Sequence, residues 1–109
     1  MRILKLCKAE FGVLSQALAY VVNNNDSATS APYLAVFDKV KEKYECLGKA
    51  NLYGRKLEFR MTQDEYELCK KAAYAHHNFY TQEKPHLQDL TATMITKLYN
   101  SKYKNVIER

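Results

Sequence analysis

The chain has 109 residues, 47% of them hydrophobic and 27% charged, with a formal net charge of +5. That length suits one domain spanning 1–109, and the apolar content excludes an intrinsically disordered chain. The charge is spread, with seven Lys/Arg and five Asp/Glu in residues 1–54 and ten and seven in residues 55–109, which excludes a charged tail.

Residues 2–7 alternate, with Leu4 and Leu6 sharing one face and Ile3, Lys5 and Cys7 the other, as in a strand. A helix is expected from Lys8 to Asn23, with Phe11, Leu14, Leu18 and Val21 or Val22 as its apolar stripe. Asn23 to Pro32 reads as a loop, and Pro32 as the first-turn proline of a second helix. That helix presents Leu34, Phe37, Val40, Tyr44 and Leu47 on one face, and Gly48 marks its stop. Lys39, Lys41, Glu42, Lys43 and Glu45 form the opposite, solvated face.

Gly48 to Arg55 connects to a second alternating segment, 56–61, with Leu57, Phe59 and Met61 inward and Lys56, Glu58 and Arg60 outward. Thr62 followed three residues later by Glu65 is a capping box, so a third helix starts there. Its stripe is Tyr66, Cys69, Ala73, His76 and Tyr80. After a polar break at Thr81–Pro85, a fourth helix is expected from about His86 to Lys102, with Leu87, Leu90, Met94, Ile95 and Leu98 inward.

The chain also repeats itself. Shifted by 55 positions, Leu4 falls on Phe59, Leu6 on Met61, Glu10 on Glu65, Phe11 on Tyr66 and Ala17 on Ala72. Further on, Phe37-Asp38-Lys39-Val40 matches Ile95-Thr96-Lys97-Leu98 at an offset of 58. The units run approximately 1–48 and 55–104, and neither is long enough to bury a core alone. The expected fold is mainly α with a two-stranded antiparallel ribbon, in the order βααβαα: a tandem pseudo-dimer of β-α-α units sharing one core.

The stretch Arg55–Ala73, RKLEFRMTQDEYELCKKAA, resembles the opening of ribbon–helix–helix proteins. It has an alternating strand with basic outward residues, a Thr cap, acidic residues in the first turn and a Tyr/Leu/Ala stripe. The first half matches more faintly. The resemblance implies a small DNA-binding regulator whose β-ribbon enters the major groove of duplex DNA. It implies contacts from Arg2, Lys5, Lys56 and Arg60, with Lys8 and Arg55 flanking, and a phosphate held near Pro32–Tyr33 or Pro85–His86. Homodimerisation on repeated half-sites would follow. Both helix–helix junctions read as longer than that family's tight glycine-containing turn. The same cations also suit ordinary exposed charge on a ribbon edge.

Other chemistry finds little footing. Cys7, Cys46 and Cys69 are odd in number and far apart, which fits reduced thiols in a cytoplasmic protein. His76, His77, His86 and Cys69 lack compact metal-ligand spacing, and no glycine-rich phosphate loop is present. No cofactor, metal or catalytic residue is expected, and the chain does not read as an enzyme. No apolar stretch approaches the roughly 20 residues of a bilayer span. Tyr99, Lys102, Tyr103 and Lys104 interleave aromatics with cations, which suits a packed helix end or single-stranded nucleic acid. The alternative function is a small adaptor or inhibitor, of a kind carried by phages or mobile elements, that binds a protein target without touching nucleic acid.

Overall fold

A computed structural model describes residues 2–49, 55–83, 88–100 and 102–103. Strand β1 (Arg2–Cys7) leads directly into helix α1 (Lys8–Asn23), and α2 (Ser27–Lys49) follows. Strand β2 (Lys56–Met61) then leads into α3 (Gln63–Glu83) and α4 (Gln88–Tyr99). The order is βααβαα, as the repeat predicts, and α1 and α3 begin 55 residues apart. A two-residue strand, β3 (Lys102–Tyr103), is an addition that the sequence pattern did not announce.

β1 and β2 pair antiparallel over their whole lengths, from Arg2 opposite Met61 to Cys7 opposite Lys56. Within this register Leu4 lies opposite Phe59, the residue it matches in the repeat. An approximate two-fold axis therefore passes through the Leu4–Phe59 pair and exchanges the two halves. β3 pairs with β1 at Arg2 and Ile3, so the sheet order is β2-β1-β3.

Period-two alternation sends Leu4, Leu6, Phe59 and Met61 inward, and all four are buried. Beneath them lie Phe11, Leu14 and Leu18 of α1, Val36, Val40 and Leu47 of α2, Tyr66, Cys69 and Ala73 of α3, and Met94 and Leu98 of α4. The Phe11 and Phe59 rings, from opposite halves, meet edge to face at 5.9 Å. The predicted stripes of α1 and α3 hold. Leu87 lies outside the described residues, as do the side chains of Tyr80 and Leu90.

Both helices that follow the ribbon start with the same hydrogen bond. The Cys7 N–H donates to Glu10 Oε1 at 2.9 Å, and the Thr62 N–H donates to Glu65 Oε1 at 2.9 Å. Thr62 Oγ1 accepts from the Glu65 N–H at 3.1 Å, completing the expected capping box.

The second helix departs from expectation. It starts at Ser27, and Pro32 is its sixth residue. Asp26 supplies the cap: its Oδ1 accepts from the Thr29 N–H at 2.8 Å and its carbonyl from the Ser30 N–H at 2.9 Å. The Thr29 N–H bond holds the Asp26 carboxyl below the usual carboxylate range. A proline so near the start removes one helical bond and leaves the remainder of the ladder intact. The longer helix turns the predicted stripe: Val36 is buried, whereas Leu34 is 45% and Tyr44 37% exposed. Gly48 lies inside the last turn instead of ending it.

The α1–α2 junction therefore shrinks to Asn24–Asp26. No glycine is needed there, because Asn24 Nδ2 donates to the Tyr20 carbonyl at 2.7 Å and Asn25 Nδ2 to that of Val21 at 2.8 Å. α3 likewise runs through Glu83, past the expected break at Thr81, and α4 ends at Tyr99 rather than Lys102.

Candidate nucleic-acid interface

The ribbon's outward face carries Ile3, Lys5 and Cys7 from β1 and Lys56, Glu58 and Arg60 from β2. Cross-strand partners are Ile3 with Arg60, Lys5 with Glu58 and Cys7 with Lys56. Lys5, Lys56, Glu58 and Arg60 are exposed, while Ile3 and Cys7 are half-buried. Glu58 Oε1 accepts from Arg60 Nε at 2.7 Å, two positions along the same strand. This pair orients the guanidinium over the ribbon, and a solvent-exposed ion pair of this kind is readily exchanged for another acceptor.

Three of the four expected contact residues, Lys5, Lys56 and Arg60, thus share one face. Arg2 does not join them. It alternates onto the helix side with Leu4 and Leu6, where its guanidinium lies 4.3 Å from the centre of the Tyr66 ring. Lys8 is drawn towards α2, with its ammonium 4.9 Å from the Tyr44 ring centre. Arg55 is exposed beside β2. The expected phosphate position at Pro32–Tyr33 is also lost, because those residues lie inside α2 and the Asp26 carboxylate caps its true start. Pro85–His86 lies outside the described residues.

Two ion pairs set the ribbon on its helices, and both cross between the halves. Lys39 of α2 reaches Glu65 of α3 at 3.0 Å and donates to the Arg60 carbonyl at 3.0 Å. Lys97 of α4 pairs with Glu10 of α1. Lys39 and Lys97 are matched residues of the repeat, as are Glu10 and Glu65. Sequence reasoning assigned Lys39 to a solvated face and so missed this exchange. The signal was present in the two alignments, but only the antiparallel ribbon brings each lysine to the other half's glutamate.

Away from the ribbon, Tyr74 donates its hydroxyl hydrogen to Tyr99 Oη at 2.9 Å, and the Lys70 ammonium lies 5.6 Å from the Tyr99 ring centre. Tyr99 is the only member of the C-terminal aromatic and cationic group whose side chain is described. Cys69 is fully buried, and burial, with Glu65 nearby, pushes its thiol up to about 12, so it is no nucleophile at neutral pH. Among the described residues, no three His, Cys, Asp or Glu side chains converge as a metal site. No helix among them is long and apolar enough to cross a membrane.

His76 is buried against Tyr20 of α1, with ring centres 5.5 Å apart, and burial lowers its pKa. The unfolded chain therefore binds this proton more readily than the folded one, so stability rises with pH across the transition. The contribution should be complete above an unfolded value of about 6.5 and be lost as pH falls below it. Urea midpoints measured from pH 7.5 to 5 should decline, and His76→Gln should flatten that decline.

No protein-family model, curated protein or solved structure matches this chain.

Proposed function

We propose that this chain is a small DNA-binding regulator that seats the outward face of its β1–β2 ribbon in the major groove. The observation that carries this reading is the pseudo-two-fold ribbon bearing exposed Lys5, Lys56 and Arg60 over an inner face where Leu4, Leu6, Phe59 and Met61 are buried. A two-stranded ribbon is narrow enough for the groove, and its outward side chains reach base edges. Arg60 has the fork geometry to donate to guanine O6 and N7, exchanging the Glu58 carboxylate for the base. Lys5 suits guanine or phosphate, and Lys56, at the ribbon end, suits phosphate. The short Asn24–Asp26 turn adds to the resemblance to ribbon–helix–helix proteins.

Binding to a broad pool of duplex DNA should fall steeply as salt rises. Arg60→Ala and Lys5→Ala should each cost about 1–3 kcal/mol of affinity for a preferred sequence. Lys56→Ala should instead weaken all sequences alike and reduce the salt slope by about one. Absence of binding above the non-specific level at about 50 mM salt would sink the proposal. It would favour the second reading, an adaptor for another protein. Exposed Leu34, which rims a shallow apolar groove with Ala19, Val22 and Phe37, is the feature that supports that alternative.

A further inference from the structure

The two-fold axis through Leu4 and Phe59 exchanges Lys5 with Arg60 and Ile3 with Glu58. In the strand register, however, Ile3 lies opposite Arg60 and Lys5 opposite Glu58. Each side of the axis therefore carries a different pair: arginine with isoleucine on one side, lysine with glutamate on the other. These pairs test DNA differently. Arginine reads guanine with two parallel bonds and isoleucine packs on a thymine methyl, whereas glutamate accepts from the cytosine amino group and lysine binds as a point charge. β3 adds a second difference, since it flanks the ribbon only at Arg2 and Ile3, on the arginine side.

Two identical chains related by a two-fold axis read two identical half-sites, which is why operator palindromy mirrors protein symmetry. Here both halves belong to one chain, so unlike residues are locked on either side of the axis. We infer that each ribbon recognises a non-palindromic duplex site and binds it in a single orientation, an inference that rests on the major-groove reading above. The Arg60–Ile3 side lies over one half-site and the Lys5–Glu58 side over the other. Reversal would bring the Glu58 carboxylate to a thymine methyl and Ile3 to a cytosine amino group. It would leave hydrogen-bonding groups unmatched on both sides.

The test is selection of binding sites from a random duplex pool by the full chain and by the double variant Ile3→Glu/Lys5→Arg, which puts the same glutamate–arginine pair on each side of the axis, where the bases are read. The natural chain should enrich sites with two dissimilar halves, and the variant should shift enrichment to a palindrome. A palindrome enriched by the natural chain would overturn the inference and leave the major-groove reading standing. Failure to enrich any sequence would overturn both. A second measurement needs no change to Ile3 or Lys5. An iron chelate is attached at Arg55→Cys, beyond one end of the ribbon, with Cys7 and Cys46 replaced by serine. It should cut one flank of the selected site about tenfold more than the other, since a single mismatched base pair costs on that order. Equal cutting on both flanks would contradict a single orientation.

Discussion

Phe59→Ala should lower the unfolding free energy by about 3–5 kcal/mol, the upper range for truncating a single buried side chain. Phe59 is fully buried and sits on the axis between the halves. Its ring meets Phe11 of the other half, and the Lys39 ammonium lies 5.6 Å from its centre. Removing it opens a cavity where β2 meets both first-half helices, so no one element can relax to fill the space. A domain of this size has about 5–15 kcal/mol of stability in total, so the variant should be partly unfolded near physiological temperature. Denaturant unfolding followed by circular dichroism measures the loss. A change below about 1 kcal/mol would mean that the inner face of the ribbon is not the centre of the core.

Glu65→Ala should cost about 1–3 kcal/mol, a large effect for a polar side chain, because one carboxylate serves two partners. It accepts from the Thr62 N–H at the start of α3 and pairs with Lys39 from the other half. Burial by itself raises this carboxyl, but the Thr62 and Lys39 bonds outweigh it and hold the group below its ordinary value. A depressed carboxyl stabilises the fold above its unfolded pKa, and that contribution fades as pH falls through the folded value. Acid unfolding of the natural chain should therefore steepen in that range, and Glu65→Ala should lose the steepening. Glu65→Gln, which keeps a neutral acceptor for the Thr62 N–H, should retain part of the stability at neutral pH. Equal melting of the alanine, glutamine and natural chains would show that the carboxylate does not bind the halves together.

Much of this architecture is written in local patterns. Alternation in 2–7 and 56–61, and the Thr62/Glu65 box, located both strands and the starts of α1 and α3, because each depends on residues within one turn or one strand. The start of α2 was misread because Pro32 is a louder signal than Asp26, although the aspartate makes the capping bonds. Leu34 and Val36 differ only by the phase of the helix, and that phase is fixed by tertiary packing. Arg2 was expected among the contact residues as a cation flanking the ribbon, yet the alternation through Leu4 and Leu6 already sent it inward. β3 has two residues and no period to detect. On the candidate interface, Lys5, Lys56 and Arg60 were legible from alternation, whereas the Glu58–Arg60 bond and the side-to-side inequality need the strand register.

The crossed pairing of Lys39 with Glu65 and of Lys97 with Glu10 also bears on the birth of the molecule. While only the first half has left the ribosome, Lys39 lacks Glu65, β1 lacks its partner strand β2 and Phe11 lacks the Phe59 ring. Only when α4 emerges can Lys97 close over Glu10. α4 therefore fastens α1, and a chain halted midway should remain open to proteases and chaperones until synthesis resumes.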